Sequence, residues 1–174
     1  MDKLIIVSSD SHAGVPQDLW PEYLEERFHH LLPRLHEDNK VYPTVIWLLT
    51  SRGSMSRPDV YEAHHSGGWK GLYDAQIRLT EMDREGVAAE LIYHGDFRMG
   101  DMFHNVTNDV YPLDAWEAGA RGFDRWAADN FATALERFLV VGAIGPCVNM
   151  DSTLAELDWI ADHGFVGTYL PGYL

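Results

Sequence analysis

Three features of the sequence predict an α/β fold with parallel strands. Short, nearly continuous apolar runs recur at residues 4–9, 87–93, 138–144 and 165–170. A strand covered on both faces within a parallel sheet reads this way. Segments with apolar residues three or four apart, the spacing of one helix face, lie between successive runs. Capping and stopping residues separate the two kinds of segment. Strands alternating with helices imply parallel pairing through crossover connections.

The elements follow in order. Leu4 to Ser9, centred on Ile5, Ile6 and Val7, is the first strand and is expected to be buried. It runs into the polar, small-residue stretch Ser9-Asp10-Ser11-His12-Ala13-Gly14. An irregular excursion of about residues 13–73 comes next. Within it Leu19 to Phe28 predicts a short helix, with Trp20, Leu24 and Phe28 on one face. Val41 to Leu49, interrupted by Pro43, is a strand or a buried loop, and Ser51 to Gly71, rich in Gly, Ser, His and Pro, is a loop or lid. Asp74 caps a helix carrying Ala75, Leu79 and Met82, and Gly86 closes it. Val87 to Tyr93 is a strand ending in His94-Gly95-Asp96. Leu113 to Glu136 is a helix with the apolar stripe Trp116, Ala120, Phe123, Ala127, Phe131 and Ala134. Phe138 to Ile144 is a buried strand stopped by Gly145-Pro146. Thr153 and Glu156 form a capping box for a helix to about Asp162, Gly164 ends it, and Phe165 to Leu170 is the fourth strand.

Composition narrows the function. Hydrophobic residues make up 46% of the 174, enough for the core of one domain spanning 1–174. The net charge of -14 repels phosphate backbones and anionic lipid, so neither a nucleic-acid nor a membrane partner is expected; a small-molecule substrate is, with a homo-oligomer left open. No apolar run reaches the ~18 residues of a membrane span. The single Cys147 excludes an internal disulfide and fits a reducing cytoplasm. The first residues lack the apolar length of a signal peptide, so a cytoplasmic location is expected.

Asp10-Ser11-His12 is the most informative triplet. Residues i and i+2 of a strand point the same way. A carboxylate and an imidazole therefore converge at the C-terminal end of the first strand, where α/β folds place their active sites. Such oxygen and nitrogen donors suit zinc, manganese or iron. The plain alternative is a hydrogen-bonded Asp–His pair.

Val7-Ser8-Ser9-Asp10-Ser11-His12 resembles the opening of the amidohydrolase-related family, which includes aromatic-acid decarboxylases of the aminocarboxymuconate-semialdehyde type and many hydrolases. Three more stretches are similar to that family in the right order: Arg78 to Val87, Ala134 to Ile144, and Leu157 to Gly167. The resemblance implies a parallel (β/α) TIM-type barrel of which about the first four strands are present, the N-terminal half. It implies a divalent metal, zinc first, with manganese or iron as alternatives. The family's first strand carries D-x-H-x-H or E-x-H. Gly14 stands in the second histidine slot, so Asp10 matches the acidic position and His12 the histidine; Asp10 is then either a ligand or a partner that fixes the His12 ring. The other ligands and the catalytic groups are expected on later strands. A complete barrel needs roughly 200 residues or more, so the chain reads as part of one.

His94, at the end of the second strand, and Arg98 beyond it are expected at the substrate, with Arg98 pairing a carboxylate. Their plain alternatives are a polar strand end and a surface ion pair. His64 and His65 with Trp69 suit a lid or an exposed loop; His29, His30 and His36 read as exposed helical residues, and Cys147 as structural. The function expected is metal-dependent hydrolysis of a small organic substrate, with or without a carboxylate. Decarboxylation of a small aromatic or unsaturated acid is the alternative, and a non-catalytic α/β binding module the second alternative.

Overall fold

The computed structural model describes residues 4–39, 70–95, 102–103 and 111–169. The expectations for Val41 to Leu49, for the lid with His64, His65 and Trp69, and for Asp96 and Arg98 lie outside the described residues.

Strands β1 (Ile6–Ala13), β2 (Val87–His94), β3 (Phe138–Ala143) and β4 (Gly167–Tyr169) form one sheet in the order β1-β2-β3-β4, each pair parallel. The parallel α/β class predicted from the alternation is what the chain adopts. Strand order following chain order is the succession from which (β/α) barrels are built. Among the described residues, three helices cross between the strands: α3 (Ala75–Glu85), α4 (Leu113–Phe131) and α5 (Met150–Asp162). Ahead of them the excursion after β1 carries α1 (Trp20–Tyr23), a 3-10 helix over Glu26–Leu31, and α2 at residues 32–39.

That excursion corrects the single helix expected over residues 19–28. The chain turns extended at Leu24 (φ -92, ψ 138), so α1 ends after one turn. Trp20, Leu24 and Phe28 are nonetheless all buried, as their spacing required. Trp20 donates its indole N–H to the Val15 carbonyl at 3.1 Å and stacks on His36 at 4.9 Å. His36 is therefore a packing residue, not the exposed helical histidine expected. Tyr111 donates to Asp38 at 2.6 Å and Tyr23 to Asp129 at 3.1 Å, tying the excursion to α4 and the residues before it.

Local signals set the helix ends. The Asp74 carboxylate accepts from the N–H groups of Gln76 and Ile77, and Gly86 closes α3 at φ 73, in the left-handed region where glycine is favoured. Helix α4 buries Ala120, Phe123, Ala127 and Phe131 of its predicted stripe. It stops at Phe131 and passes into a 3-10 turn, Ala132–Ala134, short of the expected Glu136. Gly119 has a packing reason: a Cβ there would lie 1.4 Å from the Met102 carbonyl oxygen.

The predicted capping box of α5 is not formed. Asn149 is the cap, its side chain accepting from the Asp151 and Ser152 N–H groups, and the helix starts at Met150. Thr153 sits one turn in, bonded to the Asn149 carbonyl. Glu156 is drawn instead to Arg125 of α4, which grips both its oxygens while lying 3.5 Å over the Trp159 ring. Beside this pair Asp124 is fully buried and accepts from the Ala143 N–H of β3 at 2.8 Å.

β1 departs most from expectation. Leu4, Ile5, Ile6 and Val7 are all exposed, although the apolar run predicted a buried strand. The run is at the edge of the described sheet, paired with β2 on one side. The strand also continues through Asp10 and His12 to Ala13, beyond the expected Ser9.

Candidate functional site

The site is built on an irregularity. Ser8 pairs with Glu90 and Ser11 with Ile92, so three steps along β1 match two along β2. This β-bulge holds Ser9 and Asp10, and the hydroxyls of Ser8 and Ser11 meet across it at 3.0 Å. Bulges commonly re-aim side chains next to functional sites. Regular register resumes with His12 opposite Tyr93 and Ala13 opposite His94.

Asp10 and His12 come together as their spacing predicts. His12 Nε2 lies 3.4 Å from Asp10 Oδ1, with the two side chains 48% and 90% exposed. The other ring nitrogen, His12 Nδ1, is 3.1 Å from the His94 carbonyl oxygen. A carbonyl only accepts, so Nδ1 carries the proton. In the neutral ring Nε2 then presents a lone pair. With the ring neutral, a lone pair and a carboxylate oxygen face each other across 3.4 Å, which a cation between them relieves; with the ring protonated, Nε2–H points at Asp10 as an ordinary ion pair.

The pair passes a simple fit test for a divalent metal. Two donors bonded to one tetrahedral zinc at ~2.0–2.1 Å stand about 3.4 Å apart, the spacing seen here. Metal-bound histidines typically donate their second ring N–H to a carbonyl or carboxylate, as His12 does. The set is incomplete: among the described residues no group of three or more His, Cys, Asp or Glu side chains could hold a metal. Further donors would have to come from elsewhere.

His94 sits at the strand end where the sequence places it. Its ring stacks on Tyr169 of β4 at 4.6 Å and meets the edge of Phe123 of α4 at 5.9 Å. What it gives to the site is its main-chain carbonyl, a role that sequence reasoning missed because any residue could supply it. Arg98 lies outside the described residues. Cys147 adopts φ 56 and directs its thiol to the Gly145 carbonyl at 3.6 Å, in keeping with a structural residue. Arg78 was also missed. It is buried in α3 and donates to the His12 carbonyl at 2.9 Å. A charged residue beside the apolar positions Ala75, Leu79 and Met82 was the available signal.

No family model matches the chain, and no curated protein matches it. Among solved structures, that of 2,6-dihydroxybenzoate decarboxylase from Rhizobium is similar, at 18% identity and a TM-score of 0.48. The match covers 95% of this chain and 38% of that one, so the chain spans well under half the length of that enzyme. No helix among the described residues is long and apolar enough to cross a membrane.

Proposed function

We propose that Asp10 and His12 are two ligands of a divalent metal, zinc by preference, in an enzyme acting on a small carboxylate-bearing substrate. The facing lone-pair donors at 3.4 Å, with Nδ1 already committed to the His94 carbonyl, carry this reading. The resemblance of residues 7–12 to the amidohydrolase-related family supplies the reaction class, hydrolysis. When bound, the metal lowers the pKa of a water and polarises the substrate. The chain's own residues orient: the bulge aims Asp10, and the His94 carbonyl fixes the His12 ring. Arg98 is the partner assigned to the substrate carboxylate. The remaining ligands and the general base belong to later strands.

Decarboxylation is the second reading, because the resembling family includes aromatic-acid decarboxylases. The two are told apart by product: carbon dioxide released from an aromatic acid removes the hydrolase version.

Cobalt(II) titration of the chain, followed by visible absorption and calorimetry, tests the metal centre. His12→Ala and Asp10→Asn should each weaken binding by more than the ~10–100-fold typical of losing an outer hydrogen-bond partner. Both should leave the melting temperature nearly unchanged, since the side chains are exposed. Binding indifferent to both substitutions would overturn the proposal, and failure of the wild type to bind would remove a metal centre from this chain and leave the non-catalytic binding module.

A further inference from the structure

Arg78 is 8% exposed, on a helix whose other buried residues are Ala75 and Met82. An arginine so placed needs partners for its charge and its N–H groups. It finds them on three segments. Nε donates to Glu90 Oε2 of β2 at 2.6 Å, in an ion pair with both side chains mostly buried. Nη1 donates to the His12 carbonyl of β1 at 2.9 Å and to the Gly71 carbonyl ahead of α3 at 3.0 Å. The guanidinium plane therefore spans β1, β2 and the entry to α3.

The target on β1 is the candidate ligand itself. His12 is held twice, its ring by the His94 carbonyl and its main chain by Arg78. The second grip falls just past the bulge, where regular pairing with β2 resumes at His12 opposite Tyr93.

We propose that Arg78, neutralised by Glu90, is the positioning residue of this site: it fixes the main chain at His12 so that Nδ1 meets the His94 carbonyl and Nε2 faces Asp10. This rests on the reading of His12 as a metal ligand. Lysine cannot replace it, because a single ammonium lacks the rigid fork that reaches Glu90 and two carbonyls at once.

The test uses two conservative variants, Arg78→Lys and Glu90→Gln, and two readouts. The first is the tautomer of His12 by nitrogen-15 NMR at alkaline pH, where the imidazole is neutral, with no metal present. Wild-type His12 is expected in the single Nδ1–H form. Arg78→Lys should give a mixture of tautomers, while His163, whose Nδ1 bonds the Trp159 carbonyl at 2.7 Å far along the chain, stays unchanged as an internal control. The second readout is cobalt(II) affinity, expected to fall ~10–100-fold. A merely structural role for Arg78 would move neither at a temperature where the variant is folded. A folded Arg78→Lys variant with wild-type tautomer and wild-type affinity overturns the proposal. Should that variant not fold, Glu90→Gln is read by the same criteria, and unchanged values there overturn it equally. If the wild type binds no cobalt, the metal reading fails separately, while the tautomer comparison still decides the role of Arg78.

Discussion

β1 and β3 are both parallel strands built on apolar runs, and they end up in opposite environments. In β3, Phe138, Val140, Val141, Gly142 and Ala143 are buried. Phe131 packs on Phe138 at 4.8 Å, and Ile160 of α5 lies so close over Gly142 that a Cβ there would come within 2.7 Å of it. In β1, Ile6 and Val7 are half exposed, and Ile5 just ahead of them is 81% exposed. The difference is one of neighbours: among the described residues β3 has a strand on each side, and β1 has one. The exposed strand carries the candidate site at its far end, and the buried strand carries the packing. Stability and chemistry are thus divided between two elements that look alike in composition.

The largest expected break in this comparison is in the core. Phe138→Ala should cost ~3–5 kcal/mol, the range for emptying a buried aromatic site. Ile6→Ala, at a half-exposed position, should cost under ~1 kcal/mol. Urea denaturation of the two variants checks the contrast, and equal losses would abolish it.

A subtler test is the pH dependence attached to β3. Burial pushes the Asp124 carboxyl well above the usual range; the Ala143 N–H opposes this, and the nearby Glu156 adds to it. The folded chain therefore keeps a proton that the unfolded chain releases near pH ~3.9. The sign follows: this stability is fully present below that pH and is lost as pH rises toward the folded value, at up to ~1.4 kcal/mol per pH unit. Asp124→Asn keeps an acceptor for Ala143 and needs no proton. Its melting temperature should exceed the wild type's at neutral pH and lose that slope, whereas a wild-type slope would contradict the assignment. Nothing comparable should attach to the exposed strand.

The smallest effect on stability belongs to the edge. Ile5→Lys should change it by no more than ~0.5 kcal/mol. The exposed apolar run Leu4 to Val7 at this edge invites pairing between copies, so sedimentation at rising concentration should show self-association in the wild type and less of it in Ile5→Lys. Equal behaviour would mean that the edge is covered in solution.

Much of this was legible in the residues. Asp74 and Gly86 announced the ends of α3 because a cap and a left-handed turn are local events, decided within four residues. The stripe of α4 announced its buried face for the same reason. Asp10 and His12 were legible as a pair from their i, i+2 spacing, whereas the bulge that aims Asp10 was not. The start of α5 was misread: Thr153 and Glu156 match a capping box, but Asn149 is placed to cap first, and Glu156 answers to an arginine 31 residues away.

The sequence by itself thus determined the parallel α/β class, the caps of α3 and the pairing of Asp10 with His12, since each follows from spacing along one segment. Only the tertiary structure decided that β1 is the exposed edge of the described sheet, that the His94 carbonyl accepts from the His12 ring across 82 residues, and that Arg78 and Glu90 grip the strand behind it. Burial, tautomer and buried ion pairing are properties of what lies opposite a residue, and what lies opposite is chosen by the fold.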